Sequence, residues 1–275
     1  MCISRGVAAA VASVFCLMTL KGGQAAAETI GRADRIQNTV TGLINGRTSS
    51  LARGDEVFRD QRIRTRAHSS AQFRFIDNTR LAVGANSSIV LDEAVFSGGR
   101  DEKLILKAAR GAFRFASGSL QKKAYQVVTP SSTVGVRGTM FDVFVGSGGE
   151  TILTLLQGEL TACNGAGACR TLRDPCGCLR IDQDGSFTTS TGLTRRILQG
   201  TPSSQAAPFL HFQSNLLRSI QAPRWIVAKC TGGSATDGQD TDGSGGNGGA
   251  GNGGGNGGRN GGGGTGGTGG GTGNF

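Results

Sequence analysis

Polar and apolar residues alternate with a period of two in short stretches through the middle of the chain. Gln72-Phe73-Arg74-Phe75-Ile76 and Arg80-Leu81-Ala82-Val83 follow this pattern, with Asp77-Asn78-Thr79 between them as a tight turn. Side chains two apart in a strand share a face, so the pair reads as a hairpin. The same reading predicts strands over 88–91, 103–106, 111–115, 124–129, 139–145, 151–156 and 159–163. Gly146–Gly149 is expected to join two strands, and Gln157-Gly158 to form a short turn. The recurrence of turn signals points to an all-β, antiparallel sandwich, roll or barrel-like packing. No glycine-rich loop links a strand to a helix, which argues against a nucleotide-binding α/β fold.

The pattern changes near the end. Phe209, Phe212, Leu216, Leu217 and Ile220 fall at helical spacing between Pro208 and Pro223, predicting one amphipathic helix whose stripe lies on the β body. Beyond Cys230 the periodicity disappears. Residues 231–275 hold 24 of the chain's 48 glycines and are expected to form a disordered tail, because glycine buries no side chain and costs the most backbone entropy to order. At the other end, Arg5 precedes an apolar run from Gly6 to Leu20, and Ala25-Ala26-Ala27 follow. This describes a signal peptide over 1–27. The run is shorter than the roughly 20 residues of a membrane-spanning helix. Cys16 lies inside it behind Val14-Phe15, an arrangement unlike a lipobox. The mature chain is therefore expected to be a periplasmic or secreted protein without a transmembrane segment.

Short motifs in the remaining body occur in a fixed order. Gly54-Asp55-Glu56-Val57 precedes Arg62-Ile63-Arg64-Thr65. Residues 71–81 (AQFRFIDNTRL) lead to Gly84-Ala85-Asn86-Ser87 and Ile89-Val90-Leu91. Arg110-Gly111-Ala112-Phe113, Val128-Thr129-Pro130, Val134-Gly135-Val136-Arg137-Gly138-Thr139, Phe141-Asp142-Val143 and Gln157-Gly158-Glu159-Leu160 follow. In this order, from Thr39 to Ala162, the chain resembles the FecR domain. The resemblance implies a FecR domain over 28–162 and a sensing or interaction role tied to signal transduction; a cysteine-containing extension, with a β-hairpin and the helix, follows over 163–230. Where the family has Asp-Gly-Thr, this chain has Asp77-Asn78-Thr79, and Asn tolerates the left-handed backbone best after glycine. The cytoplasmic anti-sigma segment of the iron-siderophore regulators is not matched, so direct sigma-factor control is not implied.

Charge sharpens the picture. Losing Arg5 and Lys21 with the signal segment takes the net charge from +10 to +8. Arg47, Arg53, Arg59, Arg62, Arg64, Arg66, Arg74 and Arg80 crowd the first part of the domain. Alternation turns Arg62, Arg64, Arg74 and Arg80 outward and predicts a basic sheet face, a candidate interaction surface that also takes in Arg137. Arg137 is expected to pair with Asp142 or a buried carbonyl. An envelope protein partner or an anionic envelope glycan or lipid fits such a face. Nucleic acid does not, since the protein is exported and the phenylalanines belong to the core. A secreted, surface-associated structural or adhesion-related role is the alternative reading.

Five cysteines remain after residue 27: Cys163, Cys169, Cys176, Cys178 and Cys230. Their spacing fits zinc poorly, and export makes all five disulfide candidates, with one left over. Cys163 and Cys169 flank a hairpin connection, and Cys230 is placed to pin the segment after the helix. No cofactor or metal is expected. His68 and His211 are the only histidines, and Asp77, Asp92 and Asp142 have turn or cap explanations, so the sequence reads as non-enzymatic.

Overall fold

A computed structural model describes residues 28–96, 103–120 and 125–232. The expected signal segment and all but the first two residues of the glycine-rich tail lie outside them. The described residues hold fifteen strands, mixed but mostly antiparallel. In chain order these are β1 (Thr29–Gln37), β2 (Val40–Ile44), β3 (Arg47–Ser50), β4 (Glu56–Phe58), β5 (Gln61–Thr65), β6 (Ser70–Phe75), β7 (Arg80–Val83), β8 (Ser88–Val95), β9 (Lys103–Ala116), β10 (Tyr125–Val128), β11 (Ser132–Val145), β12 (Thr151–Asn164), β13 (Cys169–Leu172), β14 (Gly177–Ile181) and β15 (Phe187–Thr191).

Hydrogen bonding sorts the strands into two layers that share three members. The first layer runs β3-β2-β5-β8-β9-β10-β11-β12-β13, with β9 and β10 parallel. The second runs β4-β1-β6-β7-β9-β11-β12-β14-β15. Each of β9, β11 and β12 contributes its two halves to different layers, so each must bend midway. Gly111 makes the bend in β9 at φ +102°, where a Cβ would come within 2.1 Å of the Ser87 hydroxyl. Gly158 makes it in β12 at φ +87°, where a Cβ would lie 2.2 Å from the Gly138 carbonyl oxygen. The pairing of β11 with β12 shifts register at this point, between Arg137 and Met140. The expected turn at Gln157-Gly158 is therefore a bend inside one fourteen-residue strand. The stretches 103–106 and 111–115 likewise join in β9.

The core lies between the layers. Ile63, Ile89, Leu91, Leu104, Leu106, Val134, Val136 and Leu160 enter it from the first layer; Phe73, Phe75, Leu81, Phe113, Phe115, Phe141, Val143, Leu153 and Leu179 enter from the second. All are nearly water-free. Each large side chain buried this way contributes about 1.5–3 kcal/mol relative to exposure. The hairpin of β6 and β7 pairs Arg74 with Arg80, and Asn78 at its tip takes φ 66°.

Residues 193–232 cover the outer face of the second layer. They form four short helices, α1 (Arg195–Leu198), α2 (Ser203–Ala206), α3 (Pro208–His211) and α4 (Arg224–Thr231), with 3₁₀ turns at Gln213–Asn215 and Arg218–Ile220. The single amphipathic helix expected over 209–220 is not formed. Phe209, Leu216 and Ile220 are buried as the stripe required, but Phe212 is exposed. Backbone groups that a helix would pair internally bond instead to sheet and cover side chains. Leu217 N–H donates to Gln72 Oε1 at 2.9 Å, and Gln72 Nε2 donates to the Asn215 carbonyl at 2.8 Å. Ala222 N–H donates to Gln213 Oε1 at 2.7 Å.

Asp77 organises the hairpin tip from within. Its carboxylate accepts from Thr79 N–H (3.0 Å), Thr79 Oγ1 (2.5 Å) and the Tyr125 hydroxyl (2.7 Å), and its carbonyl accepts from Ser119 N–H (2.9 Å). The Tyr125 hydroxyl also accepts from Leu120 N–H at 2.8 Å. Burial, aided by the Asp77 carboxylate, pushes the Tyr125 phenol from 10.0 up to about 12. Tyr125 is the only tyrosine in the chain, so tyrosinate absorbance reports this group alone. Alkaline titration of the folded protein should give a midpoint near 12, falling to about 10 in denaturant. The folded state prefers the neutral phenol, so its contribution to stability is complete below about pH 10 and is lost as pH rises through about 12. A midpoint near 10 in the folded protein would contradict this network.

Candidate functional site

Two polar constellations lie on opposite outer faces of the sandwich, one open to solvent and one closed. The open one is on the first layer. Arg62 and Arg64 project from β5, two residues apart and exposed. Across β8 they meet Val90 and Ser88, and across β9 these meet Lys107 and Arg110. An irregularity in the β8–β9 ladder between Ser88 and Ile89 accompanies the exposure of both Ala109 and Arg110. The result is a four-cation rectangle, about 7 Å along the strands and about 10 Å across them from ordinary strand spacings. Lys107 is held by Asp92 at 2.8 Å. Among the described residues Arg62, Arg64 and Arg110 have no carboxylate within 4.0 Å.

The other candidate arginines do not join this rectangle. Arg74 and Arg80 are neighbours, but on the second layer, where both reach Asp34, at 3.1 Å and 4.0 Å. Arg137 is exposed on β11 before its bend, while Asp142 lies beyond it, so the expected Arg137–Asp142 pair does not form. Arg137 faces Glu159 across the ladder, and Glu159 is bridged to Arg173 at 2.9 Å. The basic face read from the sequence is thus divided between two layers, and only Arg62 and Arg64 stay together in the open.

The closed constellation was not read as a site from the sequence. One cross-strand row on the outer face of the second layer runs Gln72, Ala82, Arg114, Asp142, Thr154, Cys178, Ser190. Arg114 is 0% exposed and Asp142 2%. Arg114 Nε and Nη2 donate to the two Asp142 carboxylate oxygens at 2.6 and 2.8 Å. Its Nη1 donates to Gln213 Oε1 at 3.0 Å and to the Ile220 carbonyl at 3.3 Å, and the guanidinium lies 5.7 Å from the Phe209 ring centre. Among the described residues every buried side-chain nitrogen and oxygen has a partner. A fully bonded buried pair of this kind fixes the seating of the cover; it offers no free group for chemistry.

The carboxylates considered for catalysis are dispersed: Asp77 holds Tyr125, Asp92 holds Lys107, and Asp142 holds Arg114. His68 sits in a turn with φ 55°, its carbonyl accepting from Asn38. His211 is exposed at the end of α3. Among the described residues no three His, Cys, Asp or Glu side chains are grouped to hold a metal.

Cys163 is bonded to Cys169 across the β12–β13 hairpin, and Cys176 to Cys230, which ties α4 to the strand entering β14. Cys178 is a buried free thiol and not a disulfide partner. Burial pushes it from 9.0 up to about 11, against a weak hydrogen bond with Thr154. A thiol so placed is un-ionised at neutral pH and unreactive.

These features define a disulfide-braced β-sandwich with an open basic face on one side and a bonded cover on the other. Residues 61–161 match the family model described as FecR protein. The match begins at β5, although β1 and β2 pair with β6 and β5 in the same sheet. No curated protein matches the chain. Two structures of a candidate anti-sigma factor from Parabacteroides distasonis ATCC 8503 are similar to it. One has a TM-score of 0.41 at 15% identity, covering 50% of this chain and 64% of that one. The other has 0.41 at 16%, covering 56% and 74%. A cell surface anchoring domain aligns with 26% of this chain and 97% of its own, at 26% identity and a TM-score of 0.24. The chain thus spans just under two thirds of the first of these structures.

Arg114→Ala should lower stability by about 3–5 kcal/mol, since it strands a buried carboxylate. The double variant Arg114→Met/Asp142→Leu should lose far less, and urea denaturation separates the two. Loop-closure entropy gives the two disulfides unequal weight. Replacing both Cys176 and Cys230 by Ser should cost about 4 kcal/mol, against about 2 for Cys163 and Cys169, because the closed loops differ in length. The same denaturation experiment ranks them.

Proposed function

We propose that the chain is an exported, non-enzymatic FecR-type sensing and interaction module of the cell envelope, linked to signal transduction and acting by reversible binding. The observation that carries this reading is the FecR match over the strands that bear the open Arg62–Arg64 face. A body closed by two disulfides suits an oxidising compartment. No helix among the described residues is long and apolar enough to cross a membrane. Binding is the chemistry these groups favour. The exposed guanidiniums present fixed donors to an anionic group. The basic face attracts an acidic envelope partner and excludes other basic surfaces by the same field.

Cell fractionation tests the compartment. Osmotic shock should release a chain whose intact mass lacks residues 1–27 and in which four of the five remaining cysteines resist alkylation until reduced. Recovery of the full-length, fully reduced chain from the cytosol would overturn the proposal.

A further inference from the structure

The open face adjoins a cleft that sequence reasoning did not foresee. Arg110, at one corner of the rectangle, also lines a cavity of about 1000 Å³ where the end of the sandwich meets the cover. Asn86, Ser147, Ser204 and Gln205 line the same cavity, with Glu150 the only acid among its residues. Basic groups on a flat strand surface therefore lead into a cleft where amides and hydroxyls alternate with the apolar faces of Phe144, Pro202 and Pro208.

We infer that this continuous surface binds a linear, carboxylate-bearing polysaccharide, with Arg62, Arg64 and Arg110 engaging its charges and the cleft its hydroxyls. The inference rests on the envelope-module reading and names its ligand. Three observations favour a glycan over an acidic protein. The cations are spaced about 7 and 10 Å apart on rigid strands, which suits charges repeated along a stiff polymer. The exposed large apolar side chains of the described residues, Ile76, Phe212 and Trp225, all lie elsewhere, so the face lacks the buried aromatic anchors that concentrate protein–protein affinity. The polar cleft supplies neutral donors and acceptors of the kind sugar hydroxyls require. Arginine at three of the four corners favours paired hydrogen bonds to a planar carboxylate.

Immobilised polygalacturonate is a suitable probe, with dextran as the uncharged control and polyglutamate as the acidic polypeptide. The full mature chain is compared with Arg62→Ser/Arg64→Ser/Arg110→Ser and with a control of equal charge loss, Arg195→Ser/Arg196→Ser/Arg224→Ser, all exposed and on the cover. The chain should bind polygalacturonate more tightly than polyglutamate and leave dextran alone. The face variant should weaken binding by about tenfold or more at low salt, with a shallower salt dependence, and the control variant by no more than about twofold. Equal losses in the two variants, tighter binding to polyglutamate, or no binding to polygalacturonate would overturn the inference. A chain recovered from the periplasm that fails to bind sinks the inference alone, whereas a cytosolic chain sinks the envelope reading beneath it.

Discussion

The Arg114–Asp142 pair sets the condition that the outer half of the molecule must meet. A guanidinium and a carboxylate taken out of water cost several kcal/mol each, and their attraction offsets that only when their remaining hydrogen-bonding capacity is also met. Asp142 supplies two acceptors to Arg114, and the cover supplies two more, from Gln213 and the Ile220 carbonyl. Without residues 213–220 in place, the second layer would expose a charged row flanked by Phe144 and Ile152, which belong to the apolar cluster beneath the cover. The sheet and the cover are therefore one cooperative unit, each satisfying what the other buries. Cys176–Cys230 acts at the far end of the same contact, keeping α4 near the strand it must cover. The ion pair fixes where the cover sits; the disulfide reduces how far it can stray.

The second constraint is the sharing of strands. Layers made of separate strands can slide against each other; here β9, β11 and β12 belong to both. Their bends depend on backbone conformations that a side chain would obstruct, as at Gly111 and Gly158. A displacement of one layer must then deform the other, and the aromatic contacts between Phe115, Phe141 and Tyr125 fill the interior this geometry encloses. Side chains on the open face inherit that rigidity. Arg62 and Arg64 stand on a strand paired on both sides, so the direction of their stems is fixed even though their ends are free.

Much of the body was legible because period-two alternation reports directly on which side of a strand faces a core. Ile63, Phe73 and Phe75 alternate with the outward Arg62, Arg64 and Arg74 and are buried. The Asn78 turn was legible because few residues tolerate its backbone. What alternation does not reveal is whether the outward side meets water. Gln72, Arg114 and Asp142 have the composition of a solvated face, yet a distant segment covers them. Their partners lie 99 to 143 residues away in the chain for Gln213 and Asn215. The missed helix has the same origin. Apolar spacing over 209–220 identified the residues to be buried, but the sheet's own side chains compete for the backbone bonds a helix needs, and local spacing carries no trace of that competition. Gly158 misled for a different reason: a positive φ is needed equally by a turn and by a bend, and only the ladder on either side distinguishes them.

The two outer faces therefore diverge in role although they come partly from the same strands. Within β9, Lys107 and Arg110 stand in the open, and Arg114, one residue type and a few positions later, is sealed. The bend at Gly111 separates them by sending the second half of the strand into the layer that the cover occupies. Charge placed before the bend is exposed to solvent, and charge placed after it is buried in an ion pair. This division places part of the chain's arginine in buried or half-buried ion pairs and leaves the rest in the open. Arg74 and Arg80 converge on Asp34, Arg114 is spent on Asp142, and Arg180 on Asp182. Those pairs hold their arginines away from the open face, while Arg62, Arg64 and Arg110, with no carboxylate within 4.0 Å among the described residues, stand together on one rigid face beside the cleft, the placement that the proposed anionic ligand requires.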